Sequence, residues 1–364
     1  MISDRMILLN CIFAIYDIIA VSVDSYYFTT VFSWTFFKQY GGSYFAHCYG
    51  LLLNVLHPVV IKMFAGQLRM FERLFIVDTS NISDQTAGLL VYIKHKINAM
   101  FVAMIVASLA TTGVNVYFWC QDRDQIMLTS KLLTDYFSPG SIIVKLFNFI
   151  ETFADIIACI PTVTIPAYFI YLFYHVEVQL LLLTDYVRSL HNEHERTFTN
   201  KMGLSTENYH SISNSVKKIV KWHLEIKQYN YEIFAINQMV HFLYICTGLL
   251  VSIFSLFSLF SPNGNALQIG ITLISFALFA YIPCDTAEDY EEFSMHLSEA
   301  IYDLDWYNWD VKCQKLYLML ITHTTKGIQV TIFMLFGINK ELLKKIAKLL
   351  YPVMNLLYSA SKSN

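Results

Sequence analysis

Stretches of about twenty mostly apolar residues, each long enough to cross a bilayer as a helix, recur along this 364-residue chain. They lie near 7–32, 43–66, 97–119, 151–183, 237–260, 267–284 and, less cleanly, 328–358. Bulk composition agrees: 55% of residues are hydrophobic, 15% are charged and mean hydropathy is +0.46. A soluble domain runs nearer 45–50% apolar and about 25% charged and has no way to hide this much apolar surface. The 28 Phe and 24 Tyr suit membrane interiors and interfacial belts. The chain reads as an all-α integral membrane protein with seven spans.

Several function classes drop out. Net charge is −3, with no basic patch interleaved with stacking aromatics, so nucleic acid is not a partner. The seven cysteines (11, 48, 120, 159, 246, 284, 313) form no zinc motif or disulfide framework, and no metal or other cofactor is expected. "HNEHE" at 191–195 lacks the H-E-x-x-H spacing of a zinc helix and reads as a solvated loop. No Gly-rich phosphate loop, nucleophile elbow or Cys/His pair exists, so the chain is not read as an enzyme. The N-terminus resembles a signal peptide but has no small-residue cleavage site, and its apolar pattern runs on to Trp34; it reads as a first membrane helix.

The polar segments are helical too. In 184–236, Ile212, Val216, Ile219, His223, Ile226, Tyr229 and Ile233 recur at steps of three or four, which predicts an amphipathic helix running into span five, with a start at Ser205 or Thr206. From Ala287 to Asp310 no Pro or Gly intervenes, and the helix of span six is expected to continue unbroken. Spans four to seven therefore extend past the membrane on one side. Lys and Arg number 14 in one set of alternating loops and 4 in the other, which places the richer side in the cytoplasm. The N-terminus is then inside and the C-terminus outside, inverted relative to a G-protein-coupled receptor. "DRD" at 122–124 falls outside, and the N-P-x-x-Y companion is missing. "NIS" at 81–83 is a glycosylation sequon facing the cytoplasm on this topology.

Ionisable residues within spans are costly and informative. Asp17 and Asp24 sit in the first span, Lys62 in the second, and Glu151 and Asp155 at the edge of the fourth. Asp17, the deepest, reads either as an interhelical hydrogen-bond anchor or as a residue at a crevice or a misplaced boundary. The lysines 217, 218, 221 and 227 and the acids 285, 288, 289, 291, 292 and 299 carry opposite charge on neighbouring extensions, though surface pairs contribute only about 0–1 kcal/mol each.

"AIYDLDWYNWDVKCQKLYLMLITHTTKGIQV", from residue 300, resembles the C-terminal signature of the insect odorant receptors. Ala300, Tyr302, Trp306, Tyr307, Lys315 and Leu316 stand at its landmark positions, with Cys284 and Ser294 or Ser298 ahead of them. "IVKWHLEIKQYNYEIFAINQMVHFLYICTGLL" matches at His223, Ile226 and Cys246, and "KELLKKIAKLLYPVMNLL" resembles the closing helix. The resemblance covers about 210–360. Two departures are Gly327, where a proline is usual, and the lysines at 344, 345 and 348. The Thr-Tyr…Gln-Phe signature of the related gustatory receptors is absent, which leaves a gustatory-type channel as the alternative and a secondary transporter further off.

The resemblance implies a ligand-gated, non-selective cation channel in the plasma membrane of olfactory sensory neurons. This chain would be an odorant-tuning subunit that joins a co-receptor subunit in a heterotetramer within membrane lipid. One receptor domain would span 1–364: spans one to six in 7–284, cytoplasmic extensions in 184–236 and 285–325, and a pore-lining last span in 328–358. It implies an odorant pocket in the outer half of the membrane, including Tyr49 and Leu53, Val114 and Phe118, Ile157 and Pro161, and Thr272 and Phe276. It implies a subunit anchor with His223, Tyr302, Trp306, Tyr307 and Lys315, and a pore face with Ile346, Leu350 and Met354.

Overall fold

The computed structural model describes residues 2–30, 33–74, 82–126, 128–138, 141–199, 206–258, 266–325, 327–332 and 336–362. Seven helices come first: α1 (Ile2–Thr30), α2 (Trp34–Leu74), α3 (Asp84–Ile126), α4 (Leu128–Tyr136), α5 (Ile142–Thr199), α6 (Thr206–Ser258) and α7 (Ala266–Tyr302). A 3-10 turn (Trp306–Asn308) leads to α8 (Val311–Thr324), then to a hairpin of β1 (Thr331–Ile332) and β2 (Phe336–Gly337), and last to α9 (Lys340–Lys362).

Among the described residues, six helices are long and apolar enough to cross a membrane: α1, α2, α3, α5, α6 and α7. At 1.5 Å per residue the 58 residues of α5 run about 87 Å and the 53 of α6 about 80 Å. A bilayer with its headgroups is about 40–45 Å thick, so both helices project well beyond it. On α1 and α3 many large apolar side chains stay exposed, among them Ile12, Ile15, Ile19, Val102, Val106 and Leu109. Lipid is the medium that accommodates such rows.

The α1–α2 seam is polar and periodic. Asn10, Asp17 and Asp24 recur every seven residues along α1. Asn10 bonds His57 at 2.7 Å, Asn54 donates to Asp17 at 2.8 Å, and His47 meets Asp24 at 2.9 Å, so the rungs descend α2 as α1 rises. His57 also reaches Thr164 of α5 at 2.8 Å, and His47 lies 3.7 Å from Glu151 of α5. Asp17 is therefore the hydrogen-bond anchor.

The main core lies where α5, α6 and α7 project together. Val176, Leu180, Leu183, Val187 and Leu190 of α5 face the expected α6 stripe, every member of which from Ile212 to Ile233 is buried. α6 begins at Thr206, one of the two expected starting positions. α3 is held to this end by Ser83: its hydroxyl accepts from the Thr86 amide at 3.3 Å, while Asp185 of α5 takes the Ser83 amide at 3.1 Å. The sequon residue Asn81 lies outside the described residues, as do the side chains of 118–130 and of His194.

Three expectations need correction. The helix of span six does not continue to Asp310; it ends at Tyr302. Asp310 instead caps α8, accepting from the Lys312 amide at 3.2 Å, which is the local competition for backbone donors that aspartate brings to helix ends. The last span is not helical from 328. Residues 327–330 are irregular, β1 pairs antiparallel with β2, and the amphipathic helix α9 begins only at Lys340. "HNEHE" is part of α5 rather than a loop. Of the charges on the extensions, Asp285, Glu288 and Asp289 of α7 pair with Lys96 and Lys340, while Lys221 pairs with Glu225 of its own helix.

Candidate functional site

The expected pocket residues fall on α2, α3, α5 and α7, which converge in the membrane. Tyr49 and Leu53, one turn apart on α2, are both buried and share a cluster with Tyr244 of α6. Phe276 of α7 packs edge-on to Tyr49, with ring centroids 5.7 Å apart, and the Tyr244 ring lies tilted 6.2 Å from Tyr49. Gly248 of α6 faces the Phe276 ring, whose nearest atom lies 3.6 Å from where a Cβ would stand, an ordinary contact distance. α2, α6 and α7 thus meet through three aromatic rings, an arrangement of the edge-to-face kind that rings prefer.

Proline shapes the α5 wall. Pro161 is buried. With no N–H, Pro166 leaves the Thr162 carbonyl without its helical donor. The Tyr244 hydroxyl donates to that carbonyl at 3.5 Å.

Small polar residues tie the remaining wall. Thr111 donates to Ser275 at 2.7 Å and Gln268 to Asn115 at 2.9 Å, joining α3 to α7; Thr112 meets Cys159, joining α3 to α5. Such pairs are the usual glue between membrane helices. Val114, Ile157 and Thr272 are half-buried on these helices and are not members of the buried Tyr49 cluster. The Thr272 hydroxyl donates to the Gln268 carbonyl at 2.9 Å, so its proton is already committed and only its oxygen remains to orient a guest. The Phe118 side chain lies outside the described residues.

Of the expected anchor residues, His223 is buried, and burial, with Lys227 and His323 nearby, lowers its pKa to about 4. Trp306 stacks on Tyr317 of α8 at 5.4 Å, and Trp309 meets the same ring edge-on at 5.6 Å. The Tyr317 hydroxyl donates to the Ile301 carbonyl at 2.9 Å, and burial pushes this phenol up to about 12. Tyr302, Tyr307 and Lys315 are exposed at the surface of this corner; the Tyr307 hydroxyl donates to Asp305 and its carbonyl accepts the Gln314 side-chain amide at 3.1 Å. Tyr317 was missed as the hub. Its signal was present, because Cys313, Tyr317, Leu320 and Thr324 form one buried stripe at steps of four, three and four. Tyr244 was missed because nothing local marks a tyrosine as the donor to a distant proline-released carbonyl.

On α9, Ile346, Leu350 and Met354 are half-buried, while Leu349, Tyr351 and Leu356 are exposed. By helical periodicity Lys344, Lys345 and Lys348 occupy the face opposite the Ile346–Leu350–Met354 row.

Residues 68–351 match the 7tm odorant receptor family. No curated protein sequence matches the chain. Two solved structures are similar in fold. The insect olfactory receptor OR5 from Machilis hrabei in complex with eugenol aligns with a TM-score of 0.70 at 13% identity, covering 96% of this chain and 88% of that one. The same receptor without that ligand in its description aligns at 0.65 and 12%, covering 97% and 87%. With the match extending over most of its length and six apolar helices passing through the membrane, the chain belongs to the 7tm odorant receptor family.

Proposed function

We propose that this receptor is the odorant-tuning subunit of a ligand-gated cation channel assembled with a co-receptor. The observation that carries the reading is the meeting of Tyr49, Phe276 and Tyr244 from α2, α7 and α6, next to the α3 and α5 walls. A mostly apolar, aromatic site of this kind takes small volatile molecules by area burial, at about 25 cal/mol per Å². Tyr49, Leu53, Val114, Phe118, Ile157, Pro161, Thr272 and Phe276 are the proposed contacts. The N-terminus is inside, the C-terminus outside, and the pocket lies in the outer half of the plasma membrane. His223, Trp306 and the exposed Tyr302, Tyr307 and Lys315, held by the corner around Tyr317, serve as the cytoplasmic subunit anchor. α9 lines the pore with Ile346, Leu350 and Met354, a row from which its lysines point away; apolar rings of this sort gate by dewetting.

The test is co-expression with an insect olfactory co-receptor and recording of current across a panel of volatiles that includes eugenol. Odorant-evoked cation current that requires both chains is expected. Current from this chain alone would replace the heteromeric reading with the self-assembling gustatory type. A glycan found on Asn81 in expressed protein would overturn the topology.

A further inference from the structure

One carboxylate on α7 joins three helices. Asp285 is buried at the end of the membrane segment, and its Oδ2 receives the Lys96 ammonium of α3 at 2.8 Å. Its Oδ1 receives the Lys340 ammonium of α9 at 2.7 Å and the Tyr281 hydroxyl at 3.1 Å. One turn on, Glu288 takes Lys340 twice, through Nζ at 2.8 Å and through the backbone amide at 2.8 Å. Glu288 therefore caps the first turn of α9 from a neighbouring helix, while Asn339 caps it from within, accepting the Leu342 amide at 3.0 Å. Lys96 also pairs with Asp289, and Glu177 of α5 faces the same group of charges.

The position of this junction matters as much as its chemistry. α7 is a single helix from Ala266 to Tyr302. Phe276, at the proposed pocket, and Asp285 are nine residues apart on it, about 14 Å. α3 carries both Lys96 and the Thr111 and Asn115 contacts to α7. A shift of α7 against α3 in the pocket therefore arrives at Asp285, and Asp285 holds the start of α9. Elsewhere α9 is a half-exposed amphipathic helix. The hairpin before it is seated on α7 as well: the Ile328 amide donates to Ser294 at 2.8 Å, and Gln329 to Glu291 at 2.9 Å.

We propose that Asp285 is a positioning residue for gating, which couples the α3–α7 wall of the odorant pocket to the first turn of the pore helix through Lys96 and Lys340. The proposal rests on the channel reading given above. It makes Lys96 and Lys340 two arms of one device, so their effects on gating depend on each other. It also sets Lys340 apart from Lys344, Lys345 and Lys348, since two carboxylates neutralise it at the mouth of the pore.

A double-mutant cycle tests this. The full chain is co-expressed with an insect co-receptor, and current evoked by the volatile panel is divided by surface label. Lys96→Met and Lys340→Met are each expected to cut the maximal current severalfold, and the double variant to fall no further than the weaker single variant. Asp285→Asn is expected to reproduce the double. Lys96→Arg and Lys340→Arg keep the ion pairs and are expected to hold wild-type current, which separates loss of the junction from loss of fold. Losses that multiply independently, or no loss in any variant, overturn the proposal and leave the channel reading standing. A wild-type pair that carries no current overturns the channel reading and the junction with it.

Discussion

The Tyr244 hydroxyl on α6 donates to the Thr162 carbonyl on α5 across 3.5 Å, an acceptor that exists because Pro166, four residues on, has no N–H. A proline that weakens one helix thereby creates the bond that ties it to the next. The same tyrosine forms one side of the proposed odorant pocket.

Removing that hydroxyl separates its two roles. Tyr244→Phe is expected to lower stability by about 1 kcal/mol, read as a small fall in Tm of the purified receptor. In a Pro166→Ala background, Thr162 regains a helical partner from Ala, and the same Tyr244→Phe change is expected to cost measurably less. Equal losses in both backgrounds would rule out the carbonyl as the acceptor that matters.

The sequence made the helices legible because their signals are local and repeated. The α6 stripe from Ile212 to Ile233 is buried as its spacing demands, and Thr206 opens the helix. The pairings were not legible. Asp17 was visible as an expensive residue, but Asn54 as its partner depends on how α1 docks on α2. The break at 303–310 was hidden for another reason. Without Pro or Gly the segment looked continuous, and the weaker capping preference of Asp310 decided the outcome. Gly327 acquires a reason only in three dimensions: a Cβ there would come 3.0 Å from Met295 and 3.2 Å from Ser294, where the hairpin is pressed against α7.

The α1–α2 ladder predicts a hierarchy of substitutions. Asp17→Asn keeps an acceptor for the Asn54 amide and is expected to be tolerated. Asp17→Leu leaves the Asn54 donor unmet within the membrane and is expected to cost about 1–2 kcal/mol, the range for interhelical hydrogen bonds in model membrane peptides. The measurement is the fraction of monodisperse protein surviving a fixed heat challenge in detergent. A Leu variant as durable as the Asn variant would exclude Asp17 as an anchor.

His223 predicts acid sensitivity of the projecting core. Its folded pKa is about 4 against an ordinary value of 6.5, because burial disfavours the cation. Above 6.5 the ring is neutral in both states and the group is silent. As pH falls from 6.5 towards 4, the unfolded chain takes up a proton that the folded chain refuses, so the folded state loses stability over that window. His223→Leu is expected to narrow the gap between Tm at pH 7 and at pH 4.5, while changing Tm at pH 7 much less. An unchanged gap would show that other groups carry the acid response.

Tyr317 predicts which side of the corner matters. Its ring is shared by Trp306 and Trp309 and its hydroxyl closes on Ile301, whereas Tyr307 projects outward. Tyr317→Ala is expected to cost about 3–5 kcal/mol, as large aromatic deletions do in packed cores, and to abolish surface expression. Tyr307→Ala is expected to leave the fold of the chain intact. If Tyr307 lies in the proposed subunit anchor, it is expected to reduce co-purification of the co-receptor instead. Surface labelling and pull-down from the same cells read both effects, and loss of surface expression in Tyr307→Ala would place its ring in the protomer core after all.

The two apolar rows of α9 make opposite predictions for the pore. Ile346, Leu350 and Met354 share one row, half-buried and turned away from the lysines; Leu349 and Leu356 stand outward beside it. Cysteines at 346, 350 and 354, assayed with a charged, water-soluble thiol reagent during odorant application, are expected to react and block current. Cysteines at 349 and 356 are expected to leave current unchanged, because lipid or a neighbouring subunit covers them. If Leu350 gates the pore by dewetting, Leu350→Ser is expected to raise ligand-free current by easing wetting of the closed pore. Block confined to 349 and 356 would turn the helix by about a quarter of its circumference and hand the pore to the outward row.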